Sequence, residues 1–303
     1  MDSAKTPYKH VCIIGCGDIG QRVAQRWQAQ NTSVTGIVAT DTSRVKLSEQ
    51  DITAWQCQLD DPNSALPTLP KQTLIYYFVP PPGQGTHDTH CQTCLNQLSA
   101  QASHISRIIA ISTTGVYGNR EGAQVTEDDT PNPQVDRAKR RYDMECQLKD
   151  WCTAHDTDLI ILRVGGIYGP GRLPLARIQN KVPVLLPELA PKTNRIHADD
   201  LAVICIAAAK VDHSYRVYNV SDGTDSNMTE YFFTLADYFQ LERPPAVDWE
   251  TATKTISPGM LSYLRESRRV DNQRLLNELD IQLCYPNLLA GLKSCQSTSD
   301  GDD

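Results

Sequence analysis

The feature that most constrains this chain is a short apolar run followed by three glycines spaced as Gly-x-Gly-x-x-Gly. The run covers residues 11–14, and its length and apolar character predict a buried strand. The glycines that follow are Gly15, Gly17 and Gly20. Apolar residues then recur at helical spacing, at Ile19, Val23, Ala24 and Trp27. We therefore predict a helix from the third glycine, and a strand, glycine turn and helix in this order are typical of a dinucleotide-binding turn.

Each glycine of this turn has a separate expected role. Gly15 permits the tight turn, Gly17 lets the backbone approach a pyrophosphate, and Gly20 lets helix and strand pack closely. We expect the helix start at Asp18, Ile19 and Gly20 to offer N–H groups and a positive dipole end to the phosphates. Because Asp18 carries a negative charge, we expect its side chain to point away from the phosphates and to cap its own helix.

Composition limits the class of protein. The chain has 303 residues, of which 40% are hydrophobic and 21% charged, enough for one large α/β domain or two joined lobes. A net charge of -7 argues against a nucleic-acid binder, which needs a basic face. The first residues lack an apolar signal core, and no later run is long enough to span a bilayer. We expect a cytoplasmic protein with no membrane partner, and its 10 cysteines are expected to be reduced.

Strand and helix patterns alternate from residue 10 to about residue 238, which predicts the fold. We expect an α/β fold with a doubly wound, Rossmann-type parallel sheet and helices on both faces. A disordered N-terminus (1–8) precedes this core (9–240). A small C-terminal substrate lobe (241–293), to which residues 171–195 contribute, and a disordered tail (294–303) follow it.

Ligands of such sheets bind beyond the carboxyl ends of the strands. The segments expected there are residues 15–20, 79–85, 112–118 and 164–172. We therefore expect Val79 and Pro80, which follow the fourth strand, to contact the cofactor. Asp41 follows the second strand, where a carboxylate favours NAD and a nearby arginine such as Arg44 favours NADP. Asp41 is also compatible with a solvated turn, so the choice between NAD and NADP stays open.

Several segments, taken in order, resemble a known family. The chain is similar to atypical members of the extended short-chain dehydrogenase/reductase superfamily, in the NAD-dependent epimerase/dehydratase group. The matching segments are residues 15–20, 112–118, 162–171, 196–202 and 218–220. The resemblance implies NAD or NADP as cofactor, a small-molecule substrate and a homodimer.

The same resemblance suggests catalytic residues. The family uses a Ser or Thr to orient substrate, a Tyr as acid/base and a Lys four residues later to hold the nicotinamide ribose. Thr113 matches the first position, and residues 133–139 are similar to the Tyr-x-x-x-Lys segment, with Lys139 at the lysine and Val135 at the tyrosine. Three alternatives remain open: another tyrosine such as Tyr142 serves, the reaction needs no tyrosine, or the chain binds a dinucleotide without turnover.

Further side chains are candidates for substrate contact. Tyr117, Arg172 and Arg195 are expected to border the substrate cleft, and the resemblance implies that the arginines contact a substrate diphosphate. We predict no metal site, because Cys91 and Cys94 fall on the apolar stripe of a helix. The sequence thus predicts an NAD(P)-dependent oxidoreductase or epimerase/dehydratase acting on a small carbonyl, alcohol or sugar-nucleotide. The alternative is an inactive NAD(P)-binding sensor or scaffold.

Overall fold

The computed structural model describes residues 8–296 and has a parallel sheet of seven strands at its centre. The strands, in chain order, are β1 (His10–Ile14), β2 (Ser33–Val38), β3 (Thr53–Gln56), β4 (Thr73–Tyr77), β5 (Ile105–Thr113), β6 (Asp158–Val164) and β7 (Tyr215–Val220). Their order in the sheet is β7-β6-β5-β4-β1-β2-β3. The chain reverses direction across the sheet between β1 and β4, which is where doubly wound folds bind ligands.

The helices cover both faces of this sheet, as predicted. They are α1 (Asp18–Gln28), α2 (Asp41–Ser48), α3 (Thr89–Ser99), α4 (Asp136–Ala154), α5 (Leu175–Gln179), α6 (Ala198–Ala208), α7 (Met228–Tyr238), α8 (Trp249–Thr255), α9 (Pro258–Leu264), α10 (Gln273–Leu279) and α11 (Leu288–Leu292). Helices α1, α6 and α10 pack on one face, and α3 and α4 pack on the other. Each face therefore has its own hydrophobic core, which explains why β1 is buried at all five positions.

Helix α1 illustrates how the apolar spacing builds this arrangement. It buries Ile19, Val23, Ala24 and Trp27, the predicted stripe. The helix begins at Asp18 rather than at Gly20, because Gly17 already serves as its N-cap. In α3, Cys91 and Cys94 are buried and not disulfide-bonded, as expected for small apolar residues.

A smaller lobe is built from short strand pairs and short helices. Three of the strand pairs are parallel: Gln124–Val125 with Arg269–Val270, Gly166–Tyr168 with Arg195–His197, and Val184–Leu185 with Ala246–Val247. The fourth pair, Lys192–Thr193 with Ser226–Asn227, is antiparallel. Ile178 and Val184 share a core with Tyr231 and Leu235 of α7. Helix α7 thus packs with this lobe, so the predicted boundary at residue 240 falls too late. Helix α10, expected in the lobe, packs on the main core.

The two ends of the described chain are tied to the core. Tyr8 is buried and donates a hydrogen bond to the carbonyl of Ala209 (2.9 Å), so it does not belong to a disordered N-terminus. Ser294 lies in a short 3-10 helix, Lys293–Cys295, which corrects the start of the predicted tail. Residues 1–7 and 297–303 lie outside the described part.

A buried carboxylate joins the C-terminal segment to α6. Asp200, only 2% exposed, accepts hydrogen bonds from the backbone N–H groups of Cys284 and Tyr285, both at 2.9 Å. One residue before α6, His197 caps the helix by accepting from the N–H of Asp199. The C-terminal segment is thereby fixed against the side of the sheet that carries α1 and α6.

Candidate active site

The glycine turn has the geometry that the sequence predicts. Gly15 has a φ of +90°, and a Cβ there would lie 2.8 Å from the backbone of Phe78 and Val79, so only glycine fits. A Cβ at Gly20 would lie 3.1 Å from the Ile13 side chain and 3.2 Å from the Gly15 carbonyl, which is the close helix–strand contact expected. Gly17 differs, because a Cβ there would meet no atom within 4 Å. The space in front of Gly17 is therefore open for a ligand.

The start of α1 supports the same interpretation. Its N-cap, Gly17, has no side chain to accept from the first-turn N–H groups, and these groups have no acceptor within the helix. They combine with the dipole of an 11-residue helix to favour an anion. The residues present thus fit a dinucleotide pyrophosphate.

Asp18 does not cap its helix, contrary to expectation. Its carboxylate accepts from Arg22 Nε (2.9 Å) and Arg172 Nε (2.5 Å), and Arg22 also pairs with Asp199 (2.6 Å). Burial alone would raise the pKa of Asp18, but the hydrogen bonds from Arg172 and Arg22 lower it below its usual value. Arg172, predicted to contact substrate, therefore lies against the glycine turn and not in the cleft at the carboxyl ends of β5 and β6.

The ends of β2 and β4 complete the region expected to hold the cofactor. Asp41 pairs with Arg44, with Nη2 2.6 Å from Oδ1, so the residue that favours NAD and the residue that favours NADP contact each other. After β4, the Val79 carbonyl accepts from Arg141 Nη1 (2.9 Å) and the Pro80 carbonyl contacts His90 (2.9 Å). These contacts fix the loop beside Gly15.

A cleft of about 490 Å³ opens at the carboxyl ends of β5 and β6. Its walls come from the main core and from the lobe, at Pro81, Thr113, Thr114, Gly115, Arg137, Ala138, Arg141, Gly165, Gly166, Pro191, Lys192, Thr193, Asn194, Arg195, Met228, Tyr263, Glu266 and Arg268. Thr113 and Arg195 are thus brought together, as the sequence suggested.

Thr113 ends β5 and presents its hydroxyl at this cleft. Its Oγ1 accepts from the N–H of Gly115 (3.1 Å), whereas within residues 8–296 its hydroxyl hydrogen has no recorded acceptor. Because a hydroxyl both donates and accepts, Thr113 retains a donor for a substrate oxygen.

The cleft-facing residues of α4 are not the predicted ones. Arg137, Ala138 and Arg141 line the cleft, whereas Lys139 is 43% exposed and lies 3.6 Å from Asp136. At 100° per residue, Lys139 is rotated by about 160–200° from Arg137 and Arg141, so it cannot share their face. Val135 is the N-cap of α4 and does not line the cleft. The placement of Lys139 and Val135 at the site is corrected to Arg141 and Arg137, which keep the four-residue spacing.

Two tyrosines considered for the site also lie elsewhere. Tyr117 is fully buried, and its hydroxyl donates to Asn219 (2.8 Å) and accepts from Arg163 (3.0 Å), so it cannot contact substrate. Burial raises the pKa of Tyr117 despite the adjacent Arg163. Tyr142 packs beside Tyr117 and does not line the cleft. The tyrosine that does line it is Tyr263 of α9, whose ring carries the Arg137 guanidinium at 3.6 Å.

The sequence of α4 indicates which of its residues face the cleft. Its buried residues Met144, Leu148 and Trp151 form an apolar stripe, and steps of three and four back along it lead to residues 141 and 137. Tyr263 and Glu266 had no comparable signal, because they come from the lobe, where the strand–helix alternation is lost.

The cleft is strongly cationic in a chain of net charge -7. Five basic residues line it (Arg137, Arg141, Lys192, Arg195 and Arg268) against one acid, Glu266. Glu266 lies 3.4 Å from Arg137 and 3.2 Å from Arg268, and Lys192 pairs with Asp225 at 2.7 Å. Arg141 and Arg195 have no carboxylate within 4.0 Å among the described residues. An anionic ligand would supply that missing charge.

None of the helices between residues 8 and 296 combines the length and hydropathy that a bilayer crossing requires. Comparison with known proteins supports the fold. Protein YeeZ of Escherichia coli (strain K12) is 24% identical over 288 residues, covering 93% of this chain and 98% of its own. A functionally unknown conserved protein from Silicibacter pomeroyi DSS has a TM-score of 0.84 at 26% identity, covering 96% of this chain and 99% of its own.

A more distant structure, MoeE5 in complex with UDP-glucose and NAD, has a TM-score of 0.70 at 16% identity, which shows a shared fold. It covers 96% of this chain and 98% of its own. Residues 11–221 match the model of the NAD dependent epimerase/dehydratase family, well over half of the chain. This chain therefore belongs to the NAD dependent epimerase/dehydratase family.

Proposed function

We propose that this protein is an NAD(P)-dependent oxidoreductase or epimerase/dehydratase-type enzyme acting on a small carbonyl or alcohol. The observation that carries the proposal is the Thr113 hydroxyl, whose hydrogen is free to donate into a cleft at the carboxyl edge of the sheet. The open glycine turn lies at the same edge, after β1. MoeE5, which shares the fold, was determined with UDP-glucose and NAD, and this supports both a dinucleotide and a nucleotide-sugar-like substrate.

Each part of the cofactor has residues suited to hold it. The first-turn N–H groups of α1 would hold the pyrophosphate, and Asp41 and Arg44 would meet the adenosine ribose. Arg141, fixed to the Val79 carbonyl, replaces the family lysine as a donor to the nicotinamide ribose. A bound nicotinamide would supply hydride transfer at this site. Thr113 then orients the substrate oxygen by donating its hydroxyl hydrogen.

Proton transfer requires a group other than the usual tyrosine. Arginine stays protonated near neutral pH and cannot replace tyrosine as an acid/base, so Arg137 is unsuited to that role. Tyr263 is the cleft tyrosine available for it, and its ring centroid lies 3.6 Å from the Arg137 guanidinium carbon. The second candidate function, an NAD(P)-binding protein without turnover, rests on Arg137 occupying the tyrosine position.

The first experiment tests cofactor binding with Gly17→Val. Because a Cβ at Gly17 meets nothing within 4 Å, the valine fills only the ligand space. We expect affinity for NAD(H) and NADP(H), measured by fluorescence titration, to fall at least about 100-fold, ~2.7 kcal/mol. Loss of the glycine N-cap is expected to cost only about 1 kcal/mol of stability.

Gly259→Val is the matched control, since a Cβ at Gly259 also meets no atom within 4 Å but lies in α9, away from the turn. It should leave cofactor affinity unchanged. Equal affinities of Gly17→Val and the unaltered protein would refute the cofactor site.

The second experiment separates the two functions. Cofactor oxidation or reduction is followed while sugar nucleotides and small carbonyl compounds are offered to the protein and to Thr113→Val, which removes only the hydroxyl. The enzyme hypothesis predicts turnover that falls in Thr113→Val while cofactor affinity is retained. Binding of cofactor with no turnover of any compound supports the second candidate.

A further inference from the structure

His90 of α3 bridges two segments at the carboxyl edge of the sheet. Its Nδ1 lies 2.9 Å from the carbonyl oxygen of Pro80, in the loop after β4. Its Nε2 lies 2.9 Å from Oδ1 of Asp60, in the segment after β3. In the sheet, β4 and β3 are separated by β1 and β2. The bridge therefore passes the ends of the two strands that lead into the glycine turn and into Asp41.

Both groups that His90 contacts are hydrogen-bond acceptors. A backbone carbonyl and an ionised carboxylate have no hydrogen to donate, and a neutral imidazole has one N–H donor and one lone pair. In neutral His90, one ring nitrogen would therefore direct its lone pair at an oxygen 2.9 Å away. The doubly protonated imidazolium donates to Pro80 and to Asp60 at the same time. These contacts thus select the charged form of His90.

The surroundings of His90 supply the negative charge that an imidazolium needs. His90 lies in the first turn of α3, where the helix dipole disfavours a cation. Asp60 and the N-cap residue Asp88 offset this effect. From α4, Arg141 and Asp143 act on Asp88 with opposite signs. Burial alone would lower the pKa of His90, but its two hydrogen bonds and the nearby carboxylates raise the pKa above its usual value.

The loop that His90 holds is also part of the expected cofactor site. A Cβ at Gly15 would lie 2.8 Å from the backbone nitrogen of Val79, so this loop packs directly against the glycine turn. The Val79 carbonyl accepts from Arg141 (2.9 Å), and the neighbouring Pro80 carbonyl contacts His90. Without the contact to His90, the loop after β4 and the segment after β3 can separate on the side where we expect the adenosine.

We propose that His90 is a positioning residue of the dinucleotide site: when doubly protonated it holds the segment after β3 to the loop after β4, and when it loses a proton to water it releases them. Dinucleotide affinity then falls as the pH rises. The bridge stabilises the fold fully below about pH 6.5, the usual pKa of histidine, and this effect is lost as the pH rises through the higher pKa of folded His90. The inference rests on the proposed function for the dinucleotide, but not for the bridge itself.

The test measures affinity for NADH and NADPH by fluorescence titration between pH 6 and pH 9 at constant ionic strength. We expect the affinity of the unaltered protein to be at least about fivefold weaker at pH 9 than at pH 6. His90→Gln does not titrate and has one amide nitrogen in place of two ring nitrogens, so its affinity should stay near the high-pH value throughout. Asp60→Asn removes a carboxylate that favours the imidazolium, so the transition should move to lower pH.

His104→Gln is the matched control. His104 also contacts a backbone carbonyl, that of Leu69 (2.7 Å), but it precedes β5 at the opposite edge of the sheet. This variant should keep the pH profile of the unaltered protein. The inference is overturned if His90→Gln also keeps that profile. If His90→Gln fails to fold, Asp60→Asn decides, because Asp60 is 66% exposed, and an unmoved transition then overturns the inference.

Hydrogen exchange of the unliganded protein separates the two proposals. At pH 6, the amides of residues 57–61 and 83–88 should exchange faster in His90→Gln than in the unaltered protein, and at pH 9 the two proteins should agree. This result in a protein that binds no dinucleotide would refute the proposed function and leave the bridge standing. Dinucleotide binding with a pH profile that does not depend on His90 would refute only the inference about His90.

Discussion

Replacing Glu145 by Gln tests how the end of β5 is held in place. Glu145 is a buried carboxylate of α4 that accepts from Ser112 Oγ (2.5 Å) and from Arg163 Nη2 (2.8 Å), with both charged side chains at most 6% exposed. Arg163 also donates to Tyr117, whose hydroxyl donates to Asn219. The network fixes Ser112, the neighbour of Thr113, against α4.

The expected cost follows from this geometry. Both Glu145 oxygens accept hydrogen bonds from Arg163. In the glutamine variant, an NH2 group replaces one of these oxygens, so an N–H donor of the amide points at an N–H donor of Arg163. The substitution also leaves Arg163 as a buried charge without its partner, which costs about 3–5 kcal/mol. With a denaturant slope of about 3 kcal/mol per M, the urea midpoint should fall by roughly 1–1.7 M.

Urea unfolding followed by circular dichroism measures this change. Asp150→Asn removes an exposed carboxylate from the same helix and should stay within about 0.5 kcal/mol of the unaltered protein. The double variant Glu145→Leu/Arg163→Met should lose less than Glu145→Gln, because neither charge is left alone. A loss below about 1 kcal/mol in Glu145→Gln would refute this account of the network.

Two further predictions concern the cofactor and pH. Asp41→Asn removes the carboxylate that repels a 2′-phosphate, so it should raise the ratio of NADP(H) affinity to NAD(H) affinity about tenfold. Arg44→Gln should lower this ratio. Fluorescence titration measures the ratio, and the same value in both variants would contradict the prediction. Burial raises the pKa of Asp222 to about 6, so its protonated form is favoured in the folded state, and its stabilising effect is complete below about pH 4 and lost as the pH rises through 6. The free energy of unfolding of Asp222→Asn should therefore exceed that of the unaltered protein by about 1–2 kcal/mol at pH 7.5 and equal it at pH 4. Urea unfolding at both pH values measures this difference. The same difference at both pH values would exclude Asp222 as its cause.

The sequence predicted those parts of the fold that local spacing determines. The strand predicted at residues 11–14 is observed as His10–Ile14, and the buried stripe of α1 and the buried cysteines of α3 also follow from apolar periodicity. The expected roles of Gly15 and Gly20 agree with their close contacts. The family resemblance from ordered motifs is confirmed by the match over residues 11–221. The predicted homodimer and the catalytic roles stay predictions.

The placement of the site residues depended mostly on tertiary contacts, which local spacing in the sequence does not contain. The cleft-facing positions of α4 were an exception, because the apolar stripe farther along the helix indicates which of the four cations in residues 137–141 face the cleft. Tyr117 was expected in the cleft because it follows β5, but the short 3-10 helix Thr114–Tyr117 turns it into the core. Whether Arg195 has a counter-charge depends on which acids the lobe brings near it.

The contact between Asp200 and residues 284–285 has a consequence for how the chain folds during synthesis. Asp200 lies within the family-matched part, yet the two N–H groups that satisfy its carboxylate leave the ribosome 84 and 85 residues later. Until then, the N-terminal part carries an unsatisfied carboxylate at the start of α6 that must stay hydrated. Docking of α6 is therefore expected to be completed only after the C-terminal segment has been translated. Formation of the contact between α6 and this segment is thus a late step in folding of the whole chain.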